Sequence, residues 1–230
     1  MTTLLLLGVM ALSFLLASGG SAWFCVGLAA RLPLALARSS RVQAGLVLFP
    51  LAIGAFVAIS LLSPMSLLSG CHCLAHPHHV HICFEHTALS AALACFALLG
   101  GAGALRSLVL WVGVLRGAMD TSDWSSRVDT RAVRDGVEVV PELGAHAITV
   151  GLWRPRVMVG ASLWSSLDAD GQRAVEAHEQ AHVARRDILT LFCLRLAACA
   201  LPARFGRHLL DRWRRAAEFA CDRAAAQAIG

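Results

Sequence analysis

Two stretches of this chain are uncharged for long enough to decide what surrounds them. Thr3 to Ala30 has no charged side chain in 28 positions, and Val42 to His72 has none either. A helix of roughly 20 apolar residues crosses the hydrocarbon core of a bilayer, so each run is long enough to span one. A third run, Thr87 to Leu105, is rich in Ala, Leu and Gly ahead of Arg106, and its pattern continues as a less apolar helix to about Met119. Only 15% of the residues are charged and the mean hydropathy is +0.64, which excludes an ordinary soluble domain. The spacing predicts a transmembrane domain over 1–119, with spans at about 3–30, 43–63 and 87–105, and a second domain over 120–230. The small residues Ala17 to Ala22 would suit signal cleavage. However, Met1 to Gly8 lacks the positive side chain of a secretory signal, which favours a retained span.

The arginines orient the spans. All 20 basic residues are Arg: Arg31, Arg38 and Arg41 lie between spans one and two, none lies between spans two and three, and the rest begin at Arg106. By the positive-inside rule, loop 31–41 and everything after span three face the cytoplasm, and the N-terminus and loop 64–86 face outward. The expected location is a cell membrane crossed several times. The net charge of +5 follows from this topology, and with no basic stripe interleaved with aromatics, direct nucleic-acid binding is not expected.

Loop 64–86 contains CHCLAHPHHVHICFEH at 71–86, with Cys71, Cys73, Cys83 and six of the ten histidines. Outside the cell a disulfide from Cys83 to Cys71 or Cys73 is one reading, and a loop holding a second metal ion on imidazole and thiolate is another. A solvated His tail is the third. Across the membrane from the C-terminal half, and without a Glu placed as a general base, this loop is not expected to be catalytic. Cys25, Cys95, Cys193 and Cys199 sit in apolar runs and read as small core residues.

The C-terminal half changes character. Asp120 to Gly144 is polar and turn-rich and reads as a connector. His146 to Leu152 and Val157 to Ala161 are short β-like runs that predict a hairpin, and Asp168 offers an N-cap to a helix from about Ala169 to Arg186. On that helix lies AHEQAHVARRD. His178 and His182, four apart, project from one face within about 6 Å of each other and can share a metal ion. Glu179 is angled toward a water and not the metal, and in this His-Glu-x-x-His arrangement it takes the water's proton and later passes it to the leaving amine. A chain of this composition shows the pattern by chance about 0.01 times. A third ligand must come from another helix, and Glu218, 36 residues after His182, is placed for it. Asp222, one turn further, can accept the other ring N–H of a ligating histidine. Cys221 beside it reads as packing. Ile188 to Pro202 is short for a span and reads as a buried or re-entrant helix, because a full crossing would separate Glu218 from the histidines.

HEQAH, the following Arg185-Arg186-Asp187 and the later EFACD at 218–222 together resemble the membrane-bound zinc metallopeptidases of the beta-lactam sensor-transducer type, the BlaR/MecR-like peptidases. They are similar, less closely, to the CAAX prenyl protease and HtpX-like group. Gly151 to Gly160 resembles the strand that precedes the zinc helix in the sensor-type peptidases. The resemblance covers about Val139 to Ala226. It implies one catalytic Zn2+ on His178, His182 and Glu218, Glu179 as general base, Asp222 as a partner of a ligating histidine, and a protein or peptide substrate such as a cytoplasmic repressor. The sensor-transducers also carry a further span and an external penicillin-binding domain, which these 230 residues do not contain. The chain has no tyrosine, so an oxyanion stabiliser must come from elsewhere; His208, Arg204 and Arg207 are candidates, although a solvated helix face accounts for each.

The fold expected is therefore mainly α and membrane-embedded: about three N-terminal transmembrane helices, then a cytoplasmic zincin-like α+β domain with a small β-hairpin and two zinc-site helices. The function expected is zinc-dependent endopeptidase. The alternative is a membrane metal sensor that uses the external His/Cys loop and a non-catalytic HExxH domain.

Overall fold

A computed structural model describes residues 2–60, 87–128, 132–134 and 136–230. The chain runs α1 (Thr2–Arg31), a single turn α2 (Leu34–Ala37), α3 (Ser40–Ser60) and α4 (Thr87–Arg127). Strands β1 (Ala132–Arg134), β2 (Val137–Val140), β3 (Ala147–Val150) and β4 (Arg156–Gly160) come next. The chain ends in helices α5 (Ala161–Ser166), α6 (Ala169–Ala184), α7 (Asp187–Ala198) and α8 (Ala203–Ile229). The His/Cys segment 71–86, and with it the choice between disulfide and metal, lies outside the described residues.

Three helices are long and apolar enough to cross a membrane, over Leu7–Arg31, Ser40–Ser60 and Ala94–Arg127. Leu16, Phe24, Phe56, Ile59 and Leu98 on them are exposed, a surface suited to lipid and not to water. Between lipid-facing helices close packing replaces the hydrophobic effect, so small residues mark the crossings. Gly100 of α4 abuts the carbonyl of Gly8 in α1, and a Cβ added to Gly8 would meet Ala97 Cα at 2.5 Å.

The expectation that the third helix fades near Met119 and gives way to a connector is corrected. α4 has 41 residues and continues through the polar stretch 120–127. At 1.5 Å per residue it is about 60 Å long, twice the hydrocarbon thickness. Its Ser and Thr side chains do not break it, because they bond back to their own helix: Thr121 Oγ1 donates to Gly117 O at 2.8 Å and Ser125 Oγ to Ser122 O at 2.8 Å. Arg127 pairs with Asp123 one turn back.

The hairpin expectation is likewise corrected in extent. β3 and β4 pair antiparallel around Gly151, whose φ is +99°, but β4 also pairs in parallel with β2, which pairs with β1. The result is a mixed four-stranded sheet in the order β1-β2-β4-β3, with β3 at an edge. β2 is four residues long, and its pairing partner lies about twenty residues downstream, so no local alternation announces it. Alternation along β4 splits its side chains between two faces. Val157 and Val159 pack with Val175 and Val183 of α6, and Met158 joins Val140 and Val150 on the other face. The sheet thereby fixes the position of α6. Arg156 reinforces it, donating to Glu138 Oε1 at 2.7 Å and to Ser125 O at 2.7 Å, the latter at the end of α4.

α7 spans 12 residues, about 18 Å, too short to cross a bilayer. Trp111 Nε1 donates to Leu196 O at 2.7 Å and Ser107 Oγ to Cys199 O at 3.2 Å, so α4 supplies side-chain donors to carbonyls at the end of α7. α8 is amphipathic: Leu209, Leu210, Trp213, Ala216, Ala217 and Cys221 are buried, while Arg207, Asp211, Arg215 and Asp222 are exposed. Its buried face joins Ala22, Cys25 and Ala29 of α1, Leu46 and Val47 of α3 and Leu194 of α7 in one core. Arg212 adds a bond to Ala29 O at 2.6 Å. Of the four cysteines read as core residues, Cys25 and Cys199 are buried, whereas Cys95 and Cys193 are exposed on α4 and α7.

Candidate metal centre

Three elements meet at one point. α6 starts at Asp168, whose carboxylate accepts from Gly171 N at 2.8 Å, and it carries His178, Glu179 and His182. The two imidazole rings lie 5.1 Å apart, as four-residue spacing on a helix requires. α8 packs across α6 and brings Glu218 to them, with Oε2 3.4 Å from His178 Nε2 and Oε1 3.8 Å from His182 Nε2. One ligand atom from each of the three residues falls within 4.8 Å of the other two. Zn–ligand bonds of about 2.0–2.1 Å in a tetrahedron place donors about 3.3 Å apart, so two imidazole nitrogens and one carboxylate at these separations fit a zinc ion.

Each histidine has its own carboxylate on the other nitrogen. His178 Nδ1 is 3.2 Å from Asp222 Oδ1, and His182 Nδ1 is 2.9 Å from Asp187 Oδ2. Such a partner fixes the tautomer that directs Nε2 to a metal. Asp187 had no assigned role in the sequence. It returns to His182 because Arg186 adopts a left-handed conformation, φ 54° and ψ 41°, which reverses the chain between α6 and α7. That conformation costs an L-residue about 1–2 kcal/mol. Asp187 is 6% exposed at the first turn of α7, where the helix dipole favours a negative charge. Burial opposes its ionisation, but hydrogen bonds from His182 and Arg185 outweigh it and hold the carboxyl below its usual range. The signal in the sequence was Asp five residues past the second histidine, which only the turn geometry makes meaningful.

Hydrogen bonding to Asp187 and then to Cys221, against the opposing effect of burial, pushes the His182 imidazole up to about 10. The Cys221 thiol, fully buried, sits 3.3 Å from His182 Nδ1, so it packs but also touches a ligand. In the metal-free protein His182 therefore keeps its proton at neutral pH, and a metal must displace it. The sign follows: apparent zinc affinity rises with pH up to about 10 and falls about tenfold per unit as pH drops from 8 to 7. Competitive chelator titrations at the two pH values measure this; an unchanged affinity would contradict it. Removing the partner charge by Asp187→Asn, with its shape retained, takes away the largest cause of that raised value, so the same titration is expected to show a flatter dependence of zinc affinity on pH.

Glu179 is 7% exposed, and Thr149 Oγ1 on β3 donates to its Oε2 at 2.7 Å. Thr149 is a second residue that sequence reasoning missed, since nothing within β3 points thirty residues ahead. A cavity of about 410 Å³ joins these groups: His178, Glu179 and His182 from α6, Thr149 from β3, and Arg214 and Glu218 from α8 line it. Glu218 and Asp222 are exposed, so the cavity opens on the α8 side. None of His208, Arg204 and Arg207 lines it; Arg204 instead lies over the Phe205 ring at 4.5 Å. Arg214, one turn before Glu218 and bonded to Asp211 at 2.9 Å, is the cation that does.

No family model, no curated protein and no solved structure matches this chain.

Proposed function

We propose that this chain is an integral-membrane zinc-dependent endopeptidase that hydrolyses a protein substrate. The observation that carries the reading is the convergence of His178, His182 and Glu218 in a cavity that the carboxylate of Glu179 also lines. When bound, zinc supplies a Lewis acid for a peptide carbonyl and brings the acidity of a water close to neutral pH. Glu179 takes the proton from that water and delivers it to the departing amine. Thr149 holds Oε2 of Glu179 and leaves Oε1 for the proton. Asp187 and Asp222 keep both imidazoles turned toward the metal position. The edge strand β3 offers main-chain groups to an extended substrate beside the metal, a mode that binds without much sequence preference.

The arginine distribution supports a topology in which loop 31–41 and the 120–230 half face the cytoplasm while loop 64–86 lies outside. A cytoplasmic repressor as substrate rests on the sensor-transducer resemblance alone. The deciding experiment is metal analysis of purified protein with and without residues 71–86. The endopeptidase reading expects one zinc per chain to persist when the loop is removed. If zinc disappears with the loop while a His178→Ala variant keeps it, the chain is a metal sensor and the HExxH half is not catalytic.

A further inference from the structure

A second cavity, of about 690 Å³, lies between α4, α7 and the end of β3. It adjoins the metal centre, because Thr149, Ile188 and Leu191 line both cavities. The groove thus begins at the residue that holds Glu179 and leads away along α4. A volume of this size falls within the roughly 300–1,000 Å³ of built ligand sites.

Its walls are mainly apolar, with Thr121, Ser122 and Thr149 as the neutral polar side chains. α7 contributes Leu191 and Phe192, and α4 contributes Val109, Gly113 and Gly117. A Cβ added at Gly113 or at Gly117 would meet nothing within 4 Å, so the trough is open space that a larger side chain would enter. From Val109 to Thr121 the α4 wall is about 18 Å long, enough for about five residues of extended chain. The one cation in the lining is Arg195, and none of the ion pairs among the described residues includes it. An apolar trough with an unpaired guanidinium suits an apolar polypeptide that carries a carboxylate.

We propose that this groove is the substrate subsite: it takes an extended segment of about five residues, mainly apolar and with one acidic side chain directed to Arg195, on one side of the bond to be cut. The proposal rests on the endopeptidase reading and narrows its substrate class to proteins with an apolar run next to the cleavage site. Binding there excludes water from one wall of the metal cavity and aligns the chain past Thr149.

The test uses the full chain with Glu179→Gln, in lipid nanodiscs, and a photo-crosslinking amino acid at position 118 in the groove or at position 105 on the exposed face of α4. The probe is a fluorescent decapeptide containing four consecutive leucines followed by glutamate, compared with a peptide in which serines replace the leucines. The expected result is labelling from 118 at least tenfold above that from 105 and at least tenfold above that of the serine peptide. Gly117→Phe, or Gly113→Leu should the first misfold as judged by zinc content, is expected to reduce it at least tenfold. Arg195→Glu is expected to invert the preference between glutamate-ended and lysine-ended peptides. Equal labelling from 105 and 118, which would mean partition into lipid only, overturns the proposal, and so does indifference to both groove-filling variants. Because labelling requires no hydrolysis, its failure is separate from failure of the endopeptidase reading, which zinc content and cleavage by the unmodified protein decide.

Discussion

Glu179→Gln is expected to leave one zinc per chain in place while peptide hydrolysis falls by about a thousandfold or more. General-base catalysis by a positioned carboxylate contributes roughly 10²–10⁴-fold, and an amide at this position cannot take a proton near neutral pH. The side chain keeps its size in a site that is 7% exposed and can still accept the bond from Thr149, so the cavity keeps its shape. Glu179 is not among the three converging ligand residues, and the metal should remain. Zinc by elemental analysis and hydrolysis of a degenerate fluorogenic peptide library give the two readouts. Cleavage at the parental rate would sink the assignment of Glu179, and loss of zinc would show that it holds the metal.

The second large effect is expected at the exposed end of the site. Glu218→Ala removes the group that α8 supplies to the set with His178 and His182 and leaves two imidazoles, so zinc should be lost during purification and hydrolysis with it. Asp222→Asn, one turn away, alters only the partner of His178 Nδ1. It should weaken zinc by no more than the roughly 10–100-fold typical of such partners. Both side chains are exposed and neither belongs to the core that seats α8, so the helix should stay folded in each variant. Competitive titration separates the two. Equal affinities in the two variants would remove Glu218 from the ligand set.

Reading the chain residue by residue succeeds where the physics is local. Uncharged runs of bilayer length appear as α1, α3 and α4, because a lipid-facing helix must be apolar all round and needs no partner to declare itself. It fails where a partner supplies the missing term. The polar residues from Asp120 to Arg127 look like a connector, yet they stay helical by bonding to their own carbonyls and by receiving Arg156 from β4. β2 is too short to carry its own pattern and exists through its parallel pairing with β4.

The candidate site divides in the same way. Sequence by itself determined that His178, Glu179 and His182 share one turn of a helix, since 3.6 residues per turn brings positions four apart onto one face whatever surrounds them. It also placed Glu218 and Asp222 one turn apart on a second helix. Only the tertiary structure decided that Glu218 lies beside the two imidazoles, because that depends on α8 burying Leu209, Trp213 and Ala217 against α1, α3 and α7. The same holds for Asp187 behind His182, which needs a left-handed residue at Arg186, and for Thr149 on Glu179, which needs β3 at the sheet edge. Local periodicity fixes directions within a helix, whereas distances between helices follow from how their apolar faces fill a common core.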